Sequence, residues 1–319
     1  MRTLQRFGFA RSNVAAAVCL TSASYSLAAS AKKHRLASLS AQHSSVPFTE
    51  AQTAQAIDAL KFNDSSEADR WTALRVLLTT EQLVVPLVPP ADEASRKRGE
   101  KGLMTFPNAE SETPRVLGLF TMSFFRNVEA ANKETKLEAS RMAGSQIVET
   151  MVALSDPKQS AANPSARVGF LSFNGSSVLT WSESLRAALV STLSGIRVRQ
   201  TLQKAKSTAE IDAALKEVLS QASFLVHQVK AADGKMMPAV NELGGKPHLL
   251  AFVVRDLLLR SYGDGADFFT VEGSKLLSTL QTGNLGFDVA IVHDLLEDGR
   301  LGYVELDQER ARRISNMKK

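Results

Sequence analysis

Gly144-Ser145-x-Ile147-Val148-x-Thr150-Met151 returns 129 residues later as Gly273-Ser274-x-Leu276-Leu277-x-Thr279-Leu280. A glycine opening an i, i+3, i+4 apolar pattern marks a helix start, and meeting it twice predicts one unit built twice. Four further blocks repeat around it in the same order. Ser66-x-x-Asp69 leading into Ala73-Leu74 matches Ser207-x-x-Glu210 leading into Ala214-Leu215, and Leu83-Val84-Val85 matches Phe224-Leu225-Val226, both at an offset of 141. Asn108, five residues, Pro114 and Val116-Leu117-Gly118-Leu119-Phe120 match Asn241, five residues, Pro247 and Leu249-Leu250-Ala251-Phe252-Val253 at 133. Gly169-Phe170 matches Gly286-Phe287 at 117. Offsets that fall while each block stays intact are the mark of surface loops growing in one copy. The fold expected is α/β (α+β): two tandem copies of a small mixed-sheet-plus-helices domain, joined by a long amphipathic helix.

Within each copy the local signals agree. Ser66 with Asp69, and Ser207 with Glu210, read as capping boxes. Behind the first, Trp71, Leu74, Leu77 and Leu78 fall on one helical face; behind the second, Ile211, Ala214, Leu215, Val218 and Leu219 do. Each helix runs into a short apolar strand, over residues 83–88 or 224–229, and Pro86, which lacks an N–H, makes its strand an edge there or ends it nearby. Second strands are expected at 116–120 and 249–254, with helical segments after them at 124–139 and 255–260. A strand at 267–271 belongs to the second copy, where the first copy reads as helical. Gly169–Phe173 and Gly286–Val292 are the last shared strands, and the second copy adds one more over 302–306. Trp181, Leu185, Ala188, Leu189, Ile196 and Val198 make the joining helix. The boundaries are then 1–46 for a targeting segment without regular structure, 47–180 for the first copy, 181–206 for the helix, and 207–319 for the second copy with its charged C-terminal helix.

The first acidic residue is Glu50, while Arg2, Arg6, Arg11, Lys32, Lys33 and Arg35 precede it among Ser and Ala. That is the pattern of a mitochondrial transit peptide. A secretory signal is the rival, with an apolar run over 14–20 and Ala29-Ser30-Ala31 as cleavage site, but the basic residues continue past the run. Mitochondrial matrix is the expected location. Without those six basic residues the 38 Lys and Arg fall to 32, against 33 Asp and Glu, so the basic isoelectric point belongs to the leader. The single cysteine, Cys19, lies there too, so no thiol chemistry is expected downstream. No apolar stretch reaches the roughly 18–20 residues a membrane span needs.

Once the blocks are laid out, they resemble the SseB N-terminal-domain family, the small α/β domain of the enhanced-serine-sensitivity proteins. Leu119-Phe120-Thr121 matches that family's strand ending in Phe-Thr; Phe252-Val253 loses the Thr. Gly144-Ser145 and Gly273-Ser274 match its Gly-led helix, and Gly169-Phe170 and Gly286-Phe287 its next strand. The Asn-Pro often found there is missing, and Phe173-Asn174-Gly175 is a partial echo. The resemblance covers about 100 residues of each copy. It implies a compact non-catalytic domain used for interaction and carries over no catalytic residues.

Chemistry-bearing motifs are sparse. His43, His227, His248 and His293 include no His-x-x-x-His or His-x-Glu zinc pair, so a metal site would need the fold to assemble it from unrelated positions. His293-Asp294 reads as a strand-to-loop transition, because adjacent strand residues point to opposite sides. Ser155-x-x-Lys158 sits in a Pro-containing loop, and Gly273-Ser274 reads as turn and cap before anion cradle. No phosphate loop, dinucleotide turn or nucleophile elbow is present. No catalytic, cofactor-binding or metal-ligating residue is assigned, and no cofactor.

The expected function is an accessory or assembly subunit of a mitochondrial complex, without catalytic activity of its own. The mitochondrial ribosome, an RNA-processing assembly or a respiratory-chain complex are the settings, with protein subunits as partners. A second reading is an RNA-associated protein using Arg96, Lys97 and Arg98 with Arg310, Arg312 and Arg313; neither cluster interleaves aromatics for base stacking. A third is a small-molecule enzyme or sensor with its site between the repeats.

Overall fold

The computed structural model describes residues 42, 47–61, 65–81, 83–88, 93, 97, 102–103, 105–106, 115–131, 138–154, 168–175, 177–282, 286–296 and 300–317. Gln42 is thus the one described residue of the expected targeting segment; Arg96, Arg98 and Ser155-x-x-Lys158 lie outside. The architecture is mixed α/β. Its elements are α1 (Glu50–Lys61), α2 (Glu67–Thr79), β1 (Leu83–Val88), β2 (Gly102–Leu103), β3 (Thr105–Phe106), β4 (Arg115–Leu119), α3 (Met122–Ala131), β5 (Ala139–Met142), α4 (Gly144–Leu154), β6 (Val168–Phe173), β7 (Ser177–Thr180) and α5 (Glu183–Lys204). There follow α6 (Thr208–Gln221), β8 (Ser223–Lys230), β9 (Met236–Pro238), β10 (Val240–Leu243), β11 (Lys246–Phe252), α7 (Arg255–Tyr262), β12 (Phe268–Glu272), α8 (Gly273–Thr282), β13 (Asp288–Leu295), β14 (Leu301–Leu306) and α9 (Gln308–Asn316).

The strand pairings of the two halves correspond one for one. In the first, β1 pairs antiparallel with β2 and β5, β4 antiparallel with β3 and parallel with β6, and β6 antiparallel with β7. In the second, β8 pairs antiparallel with β9 and β12, β11 antiparallel with β10 and parallel with β13, and β13 antiparallel with β14. Antiparallel pairing of β8 with β11 makes the second set one sheet. In the first half the bridge Val84–Phe120 alone stands for that pairing among the described residues. The registers also correct the sequence alignment. Phe120 faces Val84 as Phe252 faces Leu225, and Leu117 faces Leu171 as Leu249 faces Val289. The structural offsets are therefore 132 and 118, each one residue away from those read off the Pro and Gly landmarks. A one-residue slip turns every side chain to the other face of a sheet, and loop landmarks do not sense that.

Two expectations about divergence are overturned. Residues 139–142, expected to be helical, form strand β5, because Arg141 and Ser140 pair with Val84 and Val85. Sheet pairing has overridden the helix propensity of Ala139, Arg141 and Met142. The strand over 301–306 is not an addition of the second half, since β7 occupies the same place in the first. A turn at Asn174-Gly175, with φ of 48° and 67°, leads from β6 into β7. Pro86 lies inside β1. The Val84 N–H points to Phe120 and the Leu87 N–H to Glu138 on the other side. By alternation Pro86 faces the gap between β4 and β2, where its missing N–H costs no ladder bond.

Helix α2 is where the halves meet. Ala73, Val76 and Leu77 sit in the first core with Ile57, Leu117, Ile147 and Phe173. Leu74 and Leu78 sit instead in the second core, with Leu193, Ile196, Phe252 and Leu257. The single apolar face read from the sequence is thus divided between two cores, and a helix buried nearly all round shows little amphipathicity. A third stripe, Asp69, Thr72 and Arg75, faces α7. Arg75 donates to Asp256 at 3.0 Å, with side chains only 2% and 1% exposed. Arg260 donates to Asp69 and to Thr72, each at 2.9 Å. Arg255 pairs with Glu67 and lies over the Trp71 ring. Asp264, from the second half, accepts the Glu67 and Ala68 N–H groups at 2.9 Å and caps the start of α2 beside Ser66.

Helix α5 closes the junction. Its Arg199, fully buried, donates to Asp294 on β13 and to the Gln42 carbonyl. Burial and the nearby Arg75 guanidinium push Arg199 down to about 10, against the pull of Asp294 and Asp256. Asp294 follows His293 at a bulge in β13, so the strand-to-loop site anchors the joining helix. Three glycines permit the closest approaches. A Cβ on Gly195 would lie 1.8 Å from the Val253 carbonyl oxygen, one on Gly144 1.8 Å from that of Leu77, and one on Gly273 2.6 Å from that of Leu219. The paired Gly-led helices therefore need glycine because each starts against the last turn of its half's capped helix, α4 against α2 and α8 against α6.

Candidate functional site

Three surface regions of the described residues carry features beyond packing. The first is basic. Lys97 is exposed and lies 3.0 Å from Glu93. In α9, Arg310 donates to Asp212 at 2.6 Å and to the Glu305 carbonyl at 2.9 Å, and Arg313 donates to Asp212 at 2.7 Å. Burial opposes ionisation of Asp212, but the hydrogen bonds from Arg313 and Arg310 hold its carboxyl below the ordinary value. Arg312 alone of the three is exposed without joining this pair. The C-terminal cations that the sequence displays as a cluster are thus largely turned onto α6.

The second is an apolar ribbon. Val229 on β8 lies opposite Met237 on β9, and both side chains are exposed, as are Met236 and Val240. Most large apolar residues elsewhere in this half are buried, so the facing pair Val229 and Met237 stands out, with Met236 turned to the other face of β9 and Val240 following on β10. Methionine fits such a surface because its flexible thioether adapts to irregular partners. The alternation of these strands is weak in sequence, and the ribbon is apparent only from the pairing.

The third lies on one face of the second sheet. His248 on β11 and Asp288 on β13 are register partners; Glu305 on β14 is partner to Ala290, two residues along β13. Residues paired or two apart share a face, so the sheet sets all three side chains on one side. Their ligand atoms lie within 4.8 Å of one another. His248 is buried, its Nδ1 is 3.0 Å from the Lys246 carbonyl and its Nε2 is 3.2 Å from Glu305 Oε1. A cleft of about 290 Å³ adjoins, lined by Lys246, Leu280, Phe287, Asp288 and Gln308 among others. The equivalent positions of the first half are Val116, Phe170 and Val178, all apolar. His227, by contrast, stacks on Tyr262 with centroids 4.0 Å apart and takes its Nδ1 contact from the Asp267 carbonyl, a packing role.

No protein-family model matches the sequence, and neither does any curated protein. Among solved structures the chain is similar to Anabaena Tic22 (protein transport), at 11% identity and a TM-score of 0.20, covering 77% of this chain and 96% of that one. A superposition that loose carries no argument about function. Among the described residues no helix is long and apolar enough to cross a membrane.

Proposed function

We propose that this protein is a non-catalytic accessory or assembly subunit of a mitochondrial complex, acting through protein–protein contacts as two SseB-like units of common origin fused into one platform. The supporting observation is the ribbon centred on the facing pair Val229 and Met237, with Val240 beyond it, an exposed apolar surface on a body in which Leu74 and Leu78 of the first half enter the second core. A rigid platform with one adaptable patch loses little conformational freedom on docking, which favours a contact role. The matching pairings of the two halves support the common origin. The contact surface in this reading is the second half's ribbon.

The test compares two forms of the full chain by affinity capture from a mitochondrial lysate. The wild type should retain a defined set of subunits, and a Met237→Asp, Val240→Asp variant of unchanged melting temperature should lose that same set. Identical retention by both forms would remove the ribbon from the reading. Import places both Asn63 and Asn174, which begin Asn-x-Ser sequons, out of reach of glycosylation. Glycan at either asparagine, found by mass spectrometry, would place the chain in the secretory route.

A further inference from the structure

We propose that His248, Asp288 and Glu305 form a binding site for a divalent transition cation of the zinc or manganese class, independent of the assembly role. The argument begins with a proton. The Lys246 carbonyl can only accept, so His248 Nδ1, 3.0 Å away, carries a hydrogen and donates it. In a neutral ring Nε2 then presents a lone pair, and it presents it to a Glu305 oxygen 3.2 Å away, which is also an acceptor. Two acceptors face each other across a gap that needs a positive charge. Either a second proton or a metal ion supplies it.

The surroundings favour the metal. Zinc binds imidazole nitrogen and carboxylate oxygen at about 2.0–2.2 Å, so two tetrahedral ligands stand roughly 3.3 Å apart, the separation found between Nε2 and Oε1. Asp288 brings a third donor to the same face, with every ligand atom inside 4.8 Å. A carbonyl holding the far ring nitrogen is the usual support of a metal-bound histidine, because it fixes the tautomer and the ring plane. The cleft beside Asp288 gives access and leaves room for a water or an anionic ligand at a fourth position, with Lys246 on its lining. One nitrogen with two carboxylates suits zinc or manganese better than magnesium, which prefers oxygen alone. In the first half the same three positions are Val116, Phe170 and Val178, so the donor set does not follow from the sheet's geometry alone.

The experiment is calorimetric titration of the full chain, first stripped with chelator, with Zn²⁺ and separately with Mn²⁺ at neutral pH. One equivalent should bind, raising the melting temperature as the cation concentration rises. Glu305→Gln and Asp288→Asn should each weaken binding at least about tenfold. Both residues are partly exposed, so these variants keep the fold, and circular dichroism checks that. His248→Asn should abolish the equivalent. Absence of binding would leave the Nε2 contact to an imidazolium and overturn the proposal. So would binding that the three variants leave unchanged, since the ion would then sit elsewhere.

Discussion

The Arg75 guanidinium and the Asp256 carboxylate meet at 3.0 Å where α2 of the first half crosses α7 of the second, and neither is more than 2% exposed. Charges taken that far from water are costly singly and tolerable together. Asp256→Ala removes the nearest anion from Arg75 and should cost about 3–5 kcal/mol. The double change Arg75→Met, Asp256→Leu removes both desolvation costs at once and should recover most of that loss. Arg260 keeps Asp69 and Arg199 keeps Asp294, so the neighbours retain anions. Denaturant unfolding of the two variants reads the difference; equal losses in both would show that the pair does not act as a unit.

Acid should loosen the same junction. Burial opposes the charge on Asp256, but Arg75, Arg199 and Arg260 outweigh it and hold its carboxyl below the ordinary value; Asp212 is held low likewise by Arg313 and Arg310. An unfolded aspartate takes up its proton near pH ~4, and these folded ones only at lower pH. Between those values the unfolded chain binds more protons, so the stabilisation is complete above about pH 4 and is lost as the pH falls through the folded values. Melting temperature followed from pH 7 to 3 should drop at the acid end, less steeply in Asp212→Asn. A variant curve parallel to the wild type would remove Asp212 from the account.

The sequence made the repeat legible because glycines, caps and β-branched runs are local signals. It did not reveal that Leu77 and Leu78, neighbours in one helix, enter different cores, since periodicity reports that a face is apolar and not what covers it. Strand β5 was hidden for a related reason: Ala139 to Met142 prefer helix by themselves and are held extended by β1. The Asn174-Gly175 turn was a usable hairpin signal, and it marks the strand β7 that the sequence reading assigned to the second half alone. His248, Asp288 and Glu305 share no spacing motif. Only the register of three strands brings them together, which is why the histidine census found no ligand pair.

Gly195 offers a test of how closely the joining helix must sit. An added Cβ would stand 1.8 Å from the Val253 carbonyl oxygen and 2.8 Å from Val254 Cγ1. Backbone cannot yield as a flexible side chain does, so Gly195→Ala must lift α5 from the end of β11. Alanine gains about 1 kcal/mol of helix propensity over glycine. Overpacking typically costs about 1–3 kcal/mol and backbone contact sits at the upper end, so net destabilisation is expected. Ser191→Ala, on the exposed side of the same helix, should instead be neutral or slightly stabilising. A Gly195→Ala protein as stable as the wild type would mean that α5 rides higher on the sheet than described.

Arg310 and Arg312 separate a structural role of the terminal helix from a nucleic-acid role. Arg310 is spent on Asp212 and the Glu305 carbonyl, whereas Arg312 is exposed on the same helix. If α9 is a packing element, Arg310→Ala lowers the melting temperature and leaves retention of single-stranded RNA on a filter unchanged, and Arg312→Ala alters neither. A phosphate contact would behave differently: losing Arg312 would weaken retention for every RNA sequence and reduce the slope of log affinity against log salt by about 1. The expected result is weak retention at physiological salt with no dependence on Arg312. A full-unit change in slope would transfer α9 from the packing of the second half to an RNA surface, because an exposed cation has no other means of altering the number of counterions released.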